Sequence, residues 1–194
     1  LIALSVTKSK DWNSKDAYFY KVIANRDEYH ERKTTEMHWW SNKDLLAGKD
    51  EQAGGTWLGI NKDGRFAAIT NLKENTDKKY LSSRGSLVTK FLESTLSAKA
   101  YLEDLEKEKE NFAGFNLIVG DKNGLFYLCN RLEGIFFLKE GPHALGNLTL
   151  NASTSKVESI KGDLDLLIHN GFNESDAINL MKKEFGNLHE KTKK

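Results

Sequence analysis

Apolar residues in this chain fall in short runs rich in aromatic and β-branched side chains, separated by clusters of polar turn residues, a pattern that predicts sheet. Tyr18 to Ala24 reads as a core strand, and Leu1 to Val6 reads as another. The turn-rich stretch Trp12-Asn13-Ser14-Lys15 lies between them, so the two strands are expected to pair, with Arg26 and Asp27 brought near Leu1. One hairpin pattern occurs twice. Gly55 to Ile60 runs through Asn61-Lys62-Asp63-Gly64 into Arg65 to Thr70, and Phe115 to Gly120 runs through Asp121-Lys122-Asn123-Gly124 into Leu125 to Leu128. Each turn ends in a glycine able to take positive φ. Gly134 to Leu138 is expected to pair with the second hairpin.

Helical spacing takes over between and after the hairpins. Leu87, Val88, Phe91, Leu92, Leu96, Tyr101, Leu102 and Leu105 repeat at helical intervals from Ser86 to about Lys109, with a break expected near Thr95 to Ala98. The charged run Glu103 to Glu110 reads as a solvated face. Ile160 to His169 and Glu174 to Phe185 form a second helical pair, divided by the stop signal Asn170-Gly171, with Asn173 or Ser175 as the cap of the last helix. Strands, helices, strands and helices in that order predict an α+β layered domain.

Composition narrows the function more than the fold. The 194 residues suit one domain, and the formal charge of +1 argues against a bulk basic face, so nucleic acid is not an expected partner. The single cysteine, Cys129, sits in an apolar run and reads as a small buried hydrophobe. With no disulfide framework to build, a reducing compartment and hence the cytoplasm is expected. No run reaches the roughly 18 apolar residues of a membrane span, so no transmembrane segment is expected.

Ala24-Asn25-Arg26-Asp27-Glu28 carries the most chemistry, because a cationic fork flanked by carboxylates follows directly on an apolar strand. Such a group must be paired or must face a cleft; the plainer alternative is a turn supported by Asn25 with a local ion pair. The opening strand poses a related question, since a charged α-amino group beside buried residues is costly. Either residues precede Leu1 or the start of the strand lies in an open cleft. His38-Trp39-Trp40 is expected to be a loop anchor in preference to a stacking wall, and Gly54-Gly55 a bend into the following strand. No histidine or cysteine spacing matches a zinc site, and no metal is predicted.

Five blocks occur in a telling order: Ala24-Asn25-Arg26-Asp27-Glu28, Gly54-Gly55-Thr56-Trp57-Leu58-Gly59, Ala67-Ala68-Ile69-Thr70-Asn71, Arg84-Gly85-Ser86-Leu87-Val88 and Gly114-Phe115-Asn116-Leu117-Ile118. Together, from Leu1 to about Lys156, they resemble the NRDE family, also called the transport-and-Golgi-organisation protein 2 family. The resemblance implies an N-terminal-nucleophile hydrolase-like fold, an αββα four-layer sandwich of two antiparallel sheets. It further implies one domain over residues 1–194 that lacks its first residues and its closing C-terminal strands.

In that fold the first residue is nucleophile and base together. Family members carry a cysteine just before the position of Leu1, and leucine offers no nucleophile, so the chain as it stands is expected to be non-catalytic. Arg26 and Asp27 are similar to residues of the choloylglycine-hydrolase branch that hold the nucleophile and its amine. Asn71 would be an oxyanion-type donor, and Asn147 resembles the second asparagine of such sites.

The function the resemblance implies is haem trafficking, with haem as cofactor and haem-acceptor proteins as partners. His30, His38, His143 and Trp57 are the candidate contacts, supported by Tyr29, Trp39 and Trp40. The alternative is an amidohydrolase of linear or acyl amides whose cysteine nucleophile lies immediately before Leu1. Acyl-coenzyme A handling also attaches to the family, but no phosphate-cradling glycine loop supports it here.

Overall fold

A computed structural model of the chain describes residues 1–8, 18–29, 31–41, 43–75, 78, 80, 82–171 and 173–182. Its strands are β1 (Ile2–Lys8), β2 (Tyr18–Ala24), β3 (Thr34–Trp39), β4 (Leu45–Asp50), β5 (Leu58–Asn61), β6 (Phe66–Asn71), β7 (Phe115–Asp121), β8 (Gly124–Cys129), β9 (Phe136–Phe137) and β10 (Gly141–Leu145). Its helices are α1 (Gly85–Glu93), α2 (Ala98–Glu106), α3 (Ser155–His169) and α4 (Glu174–Lys182). The strands form two antiparallel sheets, one ordered β10-β1-β2 and the other β3-β4-β5-β6-β7-β8-β9.

Alternation along the central strands explains the layering, because successive side chains of a strand point to opposite faces. Ile2, Leu4 and Val6 of β1 join Phe66, Ala68, Ile118, Tyr127 and Leu145 in the core between the sheets. Ala3 of β1 and Ala144 of β10 face the other way, against Val157, Ile160 and Leu164 of α3 and Leu180 of α4. In the large sheet Ala67, Leu117 and Val119 meet Leu87, Val88, Phe91 and Leu102 of α1 and α2. The result is helices, sheet, sheet, helices: the αββα sandwich.

Turn chemistry closes both hairpins as expected. The Asn61 side-chain oxygen accepts from the Asp63 and Arg65 amides, and Gly64 follows at φ 76°. The Asp121 carboxylate accepts from the Asn123 amide before Gly124 at φ 120°, and its other oxygen caps α2 by accepting from the Ala98 amide at 2.7 Å. The break between α1 and α2 falls where the spacing put it. Asn173 caps α4, its Oδ1 accepting from the Asp176 amide at 2.9 Å.

Three strands were not visible in the pattern. β3 is exposed along its whole length and carries no alternation, so His38-Trp39-Trp40 is not a loop anchor but the end of an edge strand and the residue after it. β4 reads Leu-Leu-Ala-Gly-Lys-Asp, which has neither a period of two nor β-branching. β10 contains Pro142, a residue that a strand tolerates at a sheet edge, where β10 lies. Helix α3 also begins at Ser155, ahead of the expected Ile160, because Thr154 caps it by accepting from the Val157 amide. The expected turn at Trp12 to Lys15 and the end of the last helix at Phe185 lie outside the described residues.

Asn130, fully buried, fastens the chain that enters β7. Its Oδ1 accepts from the Phe115 amide at 2.7 Å, and its Nδ2 donates to the carbonyls of Lys109, Phe112 and Ala113 at 3.1 to 3.2 Å. Replacing it with alanine strands several buried backbone groups. Asn130→Ala should lower the unfolding free energy by about 2–4 kcal/mol. A urea denaturation midpoint equal to that of the native protein would contradict this.

Candidate functional site

The ladder between β1 and β2 does not stop at the end of β2. The Leu1 nitrogen donates to the Asn25 carbonyl and the Asn25 amide donates to the Leu1 carbonyl, both at 2.9 Å. Asn25 to Glu28 is thereby pinned beside the start of β1, as the strand order in the sequence led one to expect. Above it opens a cleft of about 620 Å³, lined by Leu1, Arg26, Asp27, Trp57, Asn71 and Asn147, with Arg32, Asp50 and Arg84 on its walls.

Asp50, at the end of β4, organises one wall. One carboxylate oxygen receives the Arg32 side chain at 2.7 and 2.8 Å and lies 3.6 Å from Arg26; the other accepts the Gln52 and Ala53 amides at 3.1 Å. Burial pushes the Asp50 carboxyl up, but the Arg32 hydrogen bond and the Ala53 and Gln52 amides outweigh it and hold the group below its ordinary value. Glu28 shares both cations, 3.4 Å from Arg26 and 3.8 Å from Arg32. The Arg26 guanidinium also lies over the Trp57 ring, 4.5 Å from its centroid. Asp27 is exposed and takes a hydrogen bond of 3.3 Å from the Asn25 side chain.

The opposite side comes from the end of β6. Asn147 is drawn onto it twice: its Nδ2 donates to the Asn71 carbonyl at 2.9 Å and its own carbonyl accepts from the Lys73 amide at 2.8 Å. The Asn71 side chain has no partner among the described residues, which leaves its amide available to the cleft. Glu74 ties this side to the end of the β7–β8 hairpin. It accepts from the Gly114 amide and from Arg131, both at 2.5 Å, and Arg131 donates to the Tyr80 hydroxyl at 3.0 Å. Two glycines let the third wall approach. A Cβ on Gly55 would stand 2.8 Å from the Gly85 carbonyl carbon, so the start of α1 packs directly on the backbone preceding Trp57.

The candidate haem contacts divide. Trp57 lines the cleft. His38 does not: it sits on β3, its Nδ1 2.7 Å from the Glu36 carbonyl oxygen, with its ring stacked toward Trp40. His143, on β10, has Nε2 2.8 Å from the Lys139 carbonyl oxygen and Nδ1 3.0 Å from the Asn151 side-chain nitrogen, and does not line the cleft. Burial pulls its pKa down, against the opposing effect of the Lys139 carbonyl. His30 lies outside the described residues. Among those residues no group of three or more histidine, cysteine or carboxylate side chains is placed to hold a metal ion, and no helix is long and apolar enough to cross a membrane.

Asp50, Arg32 and Arg84 went unrecognised as site residues in the sequence. Asp50 and Arg32 lie in stretches without a motif, and only the fold joins them to Arg26. Arg84 carried a signal, an arginine directly before a glycine at a helix start.

The lowered Asp50 carboxyl has a consequence for stability. A group whose folded pKa lies below its unfolded value stabilises fully above the ordinary carboxylate range, about 4, and loses that contribution as pH falls through the folded value. The native protein should therefore lose stability on acidification. Asp50→Asn should be less stable at pH 7 and lose less between pH 7 and pH 3. Urea midpoints for the two proteins with parallel pH dependence would exclude Asp50 as a source of the slope.

Comparison with known proteins bears on the family and the fold. The family model described as Transport and Golgi organisation 2 matches residues 8–194. The bovine Transport and Golgi organization protein 2 homolog is 35% identical over 154 residues, covering 74% of this chain and 56% of the relative, and the human homolog is 34% identical over the same spans. The chain thus spans little more than half the length of these relatives. Among solved structures, a Caenorhabditis elegans N-acylethanolamine-hydrolyzing acid amidase ortholog superposes with a TM-score of 0.63 at 8% identity, covering 97% of this chain and 88% of that one. That likeness extends to the fold, which is N-terminal-nucleophile hydrolase-like. By its family match and its relatives, the chain belongs to the transport and Golgi organisation 2 family.

Proposed function

We propose that the cleft at the head of β1 binds a small acyl amide. The observation that carries this is the convergence of Leu1, Arg26, Asp27, Asn71 and Asn147, from four separate stretches of chain, on one cleft of about 620 Å³. That volume suits a ligand of drug-like size. Leu1, Trp57 and Ile69 offer apolar surface for an acyl chain, and the unpartnered Asn71 amide offers a donor for the amide carbonyl oxygen. Asn147, through its bond to the Asn71 carbonyl, positions that donor and is not itself the primary one. Arg26, held by Glu28, Asp50 and Trp57, orders the segment that clasps Leu1. The structural neighbour named for N-acylethanolamine hydrolysis supports an amide-bearing ligand by analogy of fold.

Hydrolysis needs a nucleophile that leucine cannot supply. With a cysteine joined immediately before Leu1, its thiol would attack the amide carbonyl carbon, its α-amine would carry the proton to the departing nitrogen, Asn71 would stabilise the oxyanion, and water would then cleave the thioester to release the acid and restore the thiol. Haem handling, with haem-acceptor proteins as partners, draws less support from the geometry. His38 and His143 stand away from the cleft lining, and His143 has both ring nitrogens engaged.

Isothermal titration of N-lauroylethanolamine into the protein should be saturable, and Asn71→Ala should weaken it roughly tenfold, the scale of one lost hydrogen bond. Haemin serves as the counter-test. A saturable Soret shift that the amide displaces would put haem in the same cleft, and an amide titration that fails to saturate would refute the acyl-amide cleft.

A further inference from the structure

Among the cations around the cleft, Arg84 is distinguished by what it lacks. Arg26 and Arg32 are shared between Glu28 and Asp50. Arg84, partly buried at the start of α1, donates from Nη1 to the Gly114 carbonyl at 2.9 Å, and among the described residues no carboxylate lies within ion-pair distance of it. The nearby Glu74 is already committed to Arg131 and the Gly114 amide. Burial lowers the Arg84 pKa, a sign that its charge is desolvated without full compensation. The Nε and Nη2 hydrogens form the side-on edge of the guanidinium, and that edge has no acceptor among the described residues.

The local field points the same way. The first turn of α1, directly after Arg84, carries no acidic residue, so the positive end of the helix adds to the field.

We infer that the ligand of this cleft bears a carboxylate, and that Arg84 grips it through the free edge of its guanidinium. This rests on the acyl-amide reading above and names the polar end of that ligand. A planar two-oxygen acceptor matches the two parallel donors of the fork. The acyl amide in the cleft is therefore of the N-acyl amino acid class: amide carbonyl toward Asn71, carboxylate toward Arg84, chain along Trp57 and Ile69.

N-lauroylglycine and N-lauroylethanolamine differ in that one ends in a carboxylate and the other in an alcohol. By titration calorimetry the native protein should bind the glycine conjugate at least ~10-fold more tightly, the scale of a charge-assisted bidentate contact. Arg84→Gln should bring the ratio to within about twofold, and Arg84→Lys, which keeps the charge without the fork, should leave a ratio between the two. Lys90→Gln removes an equal charge from the exposed face of α1 and should keep the native ratio. Thermal melts of each variant establish that it is folded. Equal affinities in the native protein, or a ratio that survives Arg84→Gln, would overturn the carboxylate assignment while leaving the acyl-amide cleft intact. If neither compound binds, the acyl-amide cleft itself is wrong, and the assignment falls with it.

Discussion

Everything in this structure depends on β1 being buried on both faces while hydrogen-bonded on both edges. A strand with β2 on one side and β10 on the other has no freedom of register, since a slip by one residue would exchange Ile2, Leu4 and Val6 with Ala3 and Ser5. The first face needs large side chains to meet Phe66 and Ile118 across the sandwich. The second needs a small one, because α3 packs against Ala3. Leu1 therefore occupies a fixed point in space, and the Asn25 clasp carries that precision into the cleft.

Electrostatics then complete what packing begins. Asp50 is a buried carboxylate at a strand end, and such a group is tolerable only when its oxygens are fully engaged. Two arginines and two amides do this, and in doing so they hold Arg26 over the Trp57 ring. The same logic leaves Arg84 conspicuous. One wall of the cleft is a closed ion network, while the other presents a guanidinium bonded to the Gly114 carbonyl and, among the described residues, to no carboxylate.

The arrangement also separates two kinds of polar residue that look alike in a sequence. Asn130 and Asn116 are fully buried and spend their hydrogen bonds on the protein, Asn130 on the entry to β7 and Asn116 on Thr70, Tyr127 and Leu148. Asn71 is exposed at a strand end and spends none of its side-chain bonds on the described protein. An asparagine committed to the scaffold cannot also serve a ligand, so accessibility and vacancy, not residue type, separate Asn71 from the other two.

Local order was written in the sequence wherever one residue type decides one conformation. The two hairpins followed from a polar turn closed by Gly64 and Gly124, the α1–α2 break followed from helical spacing, and capping chemistry offered Asn173 or Ser175, of which the structure uses Asn173. The neighbourhood of Arg26 and Leu1 was legible because a short connection between apolar runs leaves few other topologies. The five ordered blocks made the family and its sandwich fold recognisable. What only the tertiary structure decided was pairing at a distance. β3, β4 and β10 lack a period of two, and they are strands because a neighbour offers an edge. Asp50 and Arg32 belong with Arg26, and Arg84 meets the Gly114 carbonyl, because strands far apart in the chain end at the same place. No single stretch of sequence encodes such a coincidence, since the energy that favours it exists only once the sheets have closed.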